Sequence, residues 1–370
     1  MTAVKRLLAG LLFGLILLYN GGVARAESAK AGILMEMETG RVLWEKNAHE
    51  ALPMASTTKV MTALLALEYA ALSDKVTVGE NAFGVPGTSI YLAQGETLTM
   101  EEMLLGLMLC SGNDAAVAIA EHVAGSVDGF CRLMTQRAAQ IGCENTLFST
   151  PHGLPAQNHH TTAYDLALIC REALKNPAFR QIVSTQRASI PWAGHPQNRI
   201  LNNKNSLLST YPGAIGIKTG YTKAAGRCLC FAAERDGMTL VGCVLNDPNW
   251  FQDAAALMDT GFADYQMVRL FGENEVVETL PVANGERASV PILAGRALEA
   301  PMRRGTYPTL TFSLPAGLEA PVEKGTHVGT ATLSDEGQVL LTVPLYAGEN
   351  VNRQSFRFHI TRIFTNWHSR

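Results

Sequence analysis

The chain has 370 residues, 47% of them hydrophobic, and a formal net charge of −3. A chain of this length can bury a sizeable core and is expected to form two domains. The weakly acidic balance argues against nucleic acid as a partner, so none is expected.

The chain begins with the pattern of a secretory signal peptide. Lys5-Arg6 precedes an apolar run over residues 7–18, and Ala24 and Ala26 provide small residues two apart. We therefore predict a signal peptide over residues 1–26 and an exported mature protein. An uncleaved anchor is the alternative, but the run is shorter than the roughly 20 apolar residues of a spanning helix.

A hairpin and then a helix are predicted next. Residues 31–45 alternate around a turn signal at Glu38-Thr39-Gly40. From Ser56 onward apolar residues recur with helical spacing, so a helix is expected there. Ser56 and Lys59 then lie one turn apart on one face, and the amine can reach the hydroxyl. A Ser-x-x-Lys spacing alone is equally consistent with a helix cap and a surface lysine.

Two helices, over 100–108 and 114–124, flank Ser111-Gly112-Asn113, which is expected on a loop. A hydroxyl there could relay a proton to a leaving amine. The Asn113 amide could hold a substrate carbonyl or orient Lys59. A further helix is predicted from a cap at Thr162.

Strands are predicted over 215–219, 228–233 and 240–245, followed by a helix over 253–265. The second and third strands are joined through Asp236-Gly237, a strong hairpin signal. Lys218-Thr219-Gly220 ends the first of these strands. Because side chains alternate along a strand, Lys218 and Gly220 should face the same side.

The three motifs together suit nucleophilic catalysis. A serine is a poor nucleophile until a base takes its proton. A lysine at its usual pKa of about 10.4 is protonated, but burial or a second cation lowers that value. Lys59 is the candidate base, and Lys218 is the candidate second cation, which would also attract an anionic substrate. The backbone N–H groups of Ser56 and Tyr221 are candidate oxyanion donors.

Ser-x-x-Lys, Ser-x-Asn and Lys-Thr-Gly, in this order, resemble the motifs of the low-molecular-mass penicillin-binding proteins, serine-type D-alanyl-D-alanine carboxypeptidases. The likeness covers residues 31–265. It continues in the stretches 38–43, 55–62, 150–154 and 216–222, and in Ala225-Gly226 shortly after. It implies an α+β fold. The catalytic domain would be of the serine β-lactamase/penicillin-binding-protein type, an antiparallel sheet flanked by helices, followed by a C-terminal all-β sandwich.

The resemblance implies removal of the terminal D-alanine from peptidoglycan stem pentapeptides through an acyl-Ser56 intermediate, with β-lactam antibiotics as covalent inhibitors and no cofactor or metal. Lys218, Thr219, Gly220 and Tyr221 would bind substrate. Lys204 occupies a position where many members carry an arginine for the substrate carboxylate. Lysine keeps the charge but loses the bidentate fork.

Several alternatives remain open. A common class of β-lactamase adds a Glu-x-x-Leu-Asn segment, and this chain has none. A DD-endopeptidase or transpeptidase on the same scaffold, or a degenerate wall-binding protein, stays possible. His152, His159 and His160 are alternative bases, although turn, capping or packing roles suit them better.

The seven cysteines are expected to be free and mostly buried, and no Cys-x-x-Cys pair indicates a metal site. Cys228 and Cys230 would share one face of a strand, which is too strained for an ordinary disulfide.

The sequence pattern changes over about the last 100 residues. Turn signals about every ten residues predict a small all-β domain over 271–350, after a catalytic domain over 27–270. Residues 351–370 are predicted as an amphipathic membrane anchor, because Phe356 and later apolar residues fall on one helical face. A last strand fits the pattern equally well, and the resemblance favours the anchor. We expect the enzyme at the outer face of the cytoplasmic membrane, facing the wall or periplasm.

Overall fold

The structure, a computed structural model, describes residues 28–335 and 337–356. The predicted signal peptide and the part of the predicted anchor after Phe356 lie outside these residues. The chain divides into two compact units. The first comprises Met1–Met35, Val42–Glu234 and Leu240–Gly261, and the second comprises Glu36–Arg41, Arg235–Thr239 and Phe262–Arg370. In the described part of the chain, no helix has the length and apolar character needed to cross a bilayer.

The first unit is built on a five-stranded sheet. Its strands, with four short ones beside the sheet, are β1 (Ala31–Glu36), β2 (Val42–Lys46), β3 (Lys75–Thr77), β4 (Thr97–Thr99), β5 (Arg187–Ile190), β6 (Arg199–Asn202), β7 (Ala214–Thr222), β8 (Gly226–Arg235) and β9 (Met238–Leu245). The order in the sheet is β2-β1-β9-β8-β7. β1 pairs antiparallel with β2, and β7 with β8. The predicted hairpin and the three predicted strands are confirmed.

Helices make up the rest of the first unit. They are α1 (Lys59–Tyr69), α2 (Met100–Leu109), α3 (Asn113–Ala124), α4 (Val127–Ile141), α5 (Ala163–Leu174), α6 (Pro177–Ser184), α7 (Leu207–Thr210) and α8 (Trp250–Asp264). Thr162 caps α5 by accepting the Asp165 N–H, as predicted. The helix expected from Ser56 begins differently. Residues Ala55–Thr58 form one turn of 3-10 helix, and the α-helix starts only at Lys59.

In the described residues of the second unit, the regular elements are strands, apart from the end of α8 and a single helical residue at Phe356. Its strands are β10 (Tyr265–Phe271), β11 (Val276–Ala283), β12 (Ser289–Ala294), β13 (Leu298–Arg303), β14 (Thr309–Ser313), β15 (Leu318–Glu319), β16 (His327–Asp335) and β17 (Gln338–Ala347). They form a two-stranded sheet, β10-β13, and a six-stranded sheet, β14-β16-β17-β12-β11-β15. The predicted β-rich C-terminal region is therefore confirmed as a β fold.

Candidate active site

The turn that carries Ser56 brings the first motif together. In a 3-10 helix, residues three apart eclipse one another, so a side chain at i+3 lies over the one at i. Lys59 Nζ accordingly lies 3.0 Å from Ser56 Oγ. The residue before the serine, Ala55, has a φ of 49°, in the left-handed region. Such a conformation costs free energy in a residue other than glycine, and the surrounding contacts must hold it.

Lys59 is fully buried and surrounded by acceptors. Its Nζ donates to Asn113 Oδ1 at 2.7 Å and to the His152 carbonyl at 2.7 Å. Burial lowers the pKa of Lys59 well below its usual value, and the positive charges of Lys218 and Lys204 lower it further. Both effects disfavour the protonated amine, which is the direction that a general base requires.

The second motif lies where α2 ends and α3 begins. Ser111 is buried and has a φ of 66°, and Asn113 is the first residue of α3. The Asn113 amide bridges two elements, since its Oδ1 accepts from Lys59 and its Nδ2 donates to the Pro86 carbonyl at 2.7 Å. The contact with Lys59 is the geometry that orienting Lys59 requires, one of the two roles considered for Asn113.

Asp114 is a residue that the sequence analysis missed. Its buried carboxylate accepts the N–H groups of Ile90 and Leu92 and the Ser89 hydroxyl, at 2.5 to 3.1 Å. These bonds hold the segment that follows Thr88 against the start of α3. An acidic residue in the first turn of a helix was the only sequence signal, and it also fits an ordinary helix end.

The third motif lies on β7. Lys218 is fully buried, and its Nζ donates to the Thr219 carbonyl at 2.8 Å. Burial, and then the charge of Lys204, lower the pKa of Lys218 to about 7. A Cβ at Gly220 would lie 2.8 Å from the Ser56 nitrogen. Glycine at this position therefore lets β7 lie directly against the serine turn.

An open cavity of about 350 Å³ connects the three motifs. It is lined by Ser56, Thr88, Ser111, Lys204, Thr219, Gly220, Tyr221 and Trp250. Thr88 and Trp250 were not predicted. Trp250 begins α8, which was expected to start three residues later, so the pattern placed this residue in a loop.

A larger cavity of about 600 Å³ lies at α4, lined by residues that include Asp128, Arg132 and Gln136. None of the three predicted motifs contributes to its lining. Cavity volume therefore does not identify the candidate active site in this protein. The arrangement of the candidate nucleophile and base identifies it.

The histidine rings next to the site are held in other contacts. The His152 ring accepts the Leu154 N–H through Nδ1 at 3.2 Å. Burial first, and then the charge of Lys59, lower the pKa of His152 to about 4, so the ring is neutral near pH 7. His160 contacts the Asn158 carbonyl and the Asn145 amide. The backbone carbonyl of His152, and not its ring, is what reaches Lys59.

All seven cysteines are free, as predicted, and five of them are buried. Cys170, Cys230 and Cys243 meet in the core with their sulfurs within 4.8 Å of one another. Three sulfurs of this kind could hold a soft, thiophilic metal ion. Among the described residues, no further histidine, cysteine or carboxylate joins the group. These cysteines lie on three separate elements, so no spacing in the sequence predicts that they meet.

Comparison with protein families gives two matches. Residues 22–249 match the sequence profile described as D-alanyl-D-alanine carboxypeptidase. Residues 265–353 match that of the C-terminal domain of penicillin-binding protein 5.

Two curated proteins are similar over most of their length. The D-alanyl-D-alanine carboxypeptidase DacF of Bacillus subtilis is 32% identical, with 98% of this chain and 99% of that protein aligned. The D-alanyl-D-alanine carboxypeptidase DacC of Escherichia coli is 33% identical, over 90% of this chain and 86% of that protein.

Solved structures agree with these matches. Penicillin-binding protein 5 of Haemophilus influenzae superposes with a TM-score of 0.76 at 26% identity, covering 88% of this chain and 98% of that one. A variant of the Streptomyces K15 DD-transpeptidase superposes with a TM-score of 0.61 at 34% identity, covering 64% of this chain and 98% of that one.

Proposed function

The chain belongs to the family of serine-type D-alanyl-D-alanine carboxypeptidases, and we propose that Ser56 is the nucleophile with which it releases D-alanine from peptidoglycan stem peptides. The observation that carries this assignment is the environment of the buried amine beside Ser56. Lys59 Nζ lies within hydrogen-bonding distance of three oxygens, and two of them, Asn113 Oδ1 and the His152 carbonyl, can only accept.

This geometry supports a hydrogen bond in which Ser56 Oγ donates to Lys59 Nζ. A neutral amine has two N–H groups and one lone pair. When both N–H groups donate to the two acceptors, the lone pair points to Ser56 Oγ and can take its proton. Burial and the charges of Lys218 and Lys204 lower the pKa of Lys59, and this favours the neutral form.

The acylation step then follows from the positions of the motifs. Ser56 Oγ attacks the carbonyl between the last two D-alanines, and the Ser56 and Tyr221 N–H groups stabilise the oxyanion. Lys59 takes the hydroxyl proton, and Ser111 relays a proton to the leaving amine. The C–N bond breaks, D-alanine leaves, and water hydrolyses the ester to restore the hydroxyl.

In this proposal the substrate carboxylate is bound in the same cavity. Lys218 and Lys204 supply positive charge there, and Thr219 supplies a hydroxyl. Lys204 and Thr219 line the cavity, whereas Lys218 lies buried behind it. A buried cation keeps its field in a low dielectric and is effective at short range.

The nucleophile is tested with Ser56→Ala. We expect this variant to fold, to release no D-alanine from a pentapeptide and to bind no labelled penicillin covalently. Mass spectrometry of the digest and of the protein measures both results. Covalent labelling that persists in Ser56→Ala would remove this serine from the mechanism.

A transpeptidase reaction is the second candidate, favoured by the structural similarity to a protein described as a DD-transpeptidase. A digest that contains an amino-acid acceptor separates the two reactions. Hydrolysis gives the tetrapeptide, and transfer gives a tetrapeptide extended by the acceptor.

We also propose that the protein is exported through its signal peptide and held at the outer face of the membrane by its C-terminal residues. In the described part of the chain, Val351 and Gln354 form backbone hydrogen bonds with Val322 and Asn284 of the second unit. A truncation after Phe356 therefore keeps these bonds and removes residues 357–370, the larger part of the proposed 351–370 anchor. We expect the truncated protein to leave the membrane fraction with full activity, and unchanged membrane association would contradict the anchor. In this proposal the catalytic domain spans 27–270 and the β-rich domain 271–350.

A further inference from the structure

The conformation of Ala55 sets the position of the serine after it. Its positive φ turns the Ala55 carbonyl toward the Thr58 side chain, and Thr58 Oγ1 donates to that carbonyl at 2.8 Å. A Cβ at Gly153 would lie 1.8 Å from the Ala55 oxygen, so the 150–153 loop is packed directly on this carbonyl. The Ala55 carbonyl is therefore held by one hydroxyl and one close backbone contact.

The Thr58 hydroxyl has a second partner. Because its one hydrogen is donated to Ala55, its oxygen can only accept from the His159 ring, whose Nε2 lies 2.9 Å away. The other ring nitrogen of His159, Nδ1, accepts the Ser149 N–H at 3.0 Å. These partners assign one tautomer: His159 is neutral and carries its proton on Nε2.

This chain of bonds is fully enclosed. Thr58 is 0% exposed and His159 is 7% exposed. Since buried polar groups without partners are costly, each bond in the chain depends on the next. It runs from the Ser149 backbone through the ring and the hydroxyl to the carbonyl just before the nucleophile.

We propose that His159 is a positioning residue for acylation, because its Nε2–H fixes the Thr58 hydroxyl that holds the Ala55–Ser56 turn. The proposal rests on the assignment of Ser56 as the nucleophile. His159 takes no proton from substrate in this role. It keeps Ser56 Oγ in line with Lys59, and small displacements of a nucleophile slow a reaction by up to about 100-fold.

Two substitutions distinguish the donor role of His159 Nε2 from the acceptor role of His159 Nδ1. His159→Gln places an amide N–H near the position of Nε2 and keeps a donor for Thr58. His159→Asn places an oxygen near the position of Nδ1, which keeps the acceptor for Ser149 and loses the donor. The measurement is the rate constant of Ser56 acylation by a chromogenic or fluorescent penicillin, together with the melting temperature.

The proposal predicts an asymmetric result. We expect His159→Asn to acylate about 10- to 100-fold more slowly and His159→Gln to stay within about 3-fold of the unaltered protein. Both variants are expected to lose some thermal stability. Equal rates in the two variants, fast or slow, at comparable melting temperatures would overturn the proposal, because a purely structural role does not distinguish the two nitrogens.

The hydroxyl provides a second, independent measurement. Thr58→Val keeps the shape and removes the hydroxyl, so it should slow acylation like His159→Asn, and Thr58→Ser should restore most of the rate. The double variant Thr58→Val/His159→Asn should be no slower than Thr58→Val alone, since both changes break the same path. Additive losses in the double variant would contradict the path.

His160→Gln is the matched control. It changes the neighbouring histidine, which contacts Asn145 and Asn158 and has no described contact with the serine turn. Its acylation rate should be unchanged. Failure of the nucleophile assignment would appear separately, as covalent labelling that persists in Ser56→Ala.

Discussion

The two units of the molecule differ in what they bury. Besides the residues of its hydrophobic core, the first unit buries two lysines, Lys59 and Lys218, together with Asn113, Asp114 and other polar side chains. Among the described residues of the second unit, the buried polar side chains are only Glu36 and Asp335. The rest of its core is a continuous apolar cluster that includes Val290, Ile292 and Leu345.

Each buried polar group of the second unit has partners that account for it. The Glu36 carboxylate accepts the N–H groups of Glu38 and Thr39 in the hairpin turn. Asp335 forms an ion pair with Arg41 at 2.6 Å. These contacts satisfy the groups and serve structure alone.

The buried amines of the first unit are a different case. An amine in a low-dielectric site loses its hydration, and burial is the largest cause of the lowered pKa of both lysines. Stability alone does not favour such residues, since an apolar side chain of similar size packs without this cost. The difference between the units indicates that the catalytic groups lie where buried polar side chains reduce the stability of the fold.

The strongest test of this comparison is Lys59→Met. Loss of the base should reduce the acylation rate by about 10³- to 10⁴-fold. Removal of a buried amine should at the same time raise the melting temperature by a few degrees. Stopped-flow acylation and calorimetry measure the two effects. A variant that is both inactive and less stable would show that Lys59 has a net stabilising role.

Substitution of Lys218 should likewise reduce activity while removing a destabilising buried amine, here through weaker binding of the substrate carboxylate. We expect Lys218→Met to lower kcat/KM by about 10²-fold, mainly through KM, because a buried charge–carboxylate interaction contributes about 2–3 kcal/mol. With a pKa of about 7, the amine loses its charge as the pH rises above 7, so kcat/KM of the unaltered protein should fall there. An alkaline limb that persists in Lys218→Arg, which stays charged, would assign the limb to another group.

In the second unit, loss of a buried charge should reduce stability and leave catalysis intact, the reverse of the result expected for the two lysines. Arg41→Met leaves Asp335 buried without its partner, and we expect a loss of about 3 kcal/mol in the unfolding free energy of this unit, with catalysis retained. Chemical denaturation and the acylation rate measure the two results. Arg303→Met is the control, since its contact with Asp264 is 3.9 Å long and exposed, and its loss should cost less than about 0.5 kcal/mol.

The smallest expected effect is the acid dependence of stability. Burial first, and then His160, lower the pKa of His159 to about 4 in the folded protein, against about 6.5 in an unfolded chain. The unfolded state therefore binds the proton first, so stability is complete above pH 6.5 and falls as the pH drops toward 4. The loss from this group is at most about 3 kcal/mol. His159→Gln should flatten the slope, and an unchanged slope would assign it to other groups.

Much of the fold follows from local sequence signals. Turn signals such as Asp236-Gly237, and period-two alternation on either side of them, predicted the strands of the sheet and the β-rich second unit. Three helices were not predicted, α4, α6 and the short α7, and the turn at Ser56 was expected as α-helix. Residues Ala55–Thr58 form the tighter 3-10 helix, and they pack against β7 and the 150–153 loop. These contacts are distant in sequence, so no local sequence pattern predicts them.

The sequence by itself determined the chemical groups and their order along the chain. Ser56, Lys59, Ser111, Asn113 and the Lys218–Tyr221 strand end were recognisable because motif residues lie close together in sequence. Only the tertiary structure decided the distances between those groups and the effect of each on the pKa values of the others. The contacts that lower the pKa of Lys59, support the Ala55–Thr58 turn from outside and complete the cavity come from residues dozens to hundreds of positions apart. Burial and distance set pKa values and geometry, and both arise only when the chain has folded.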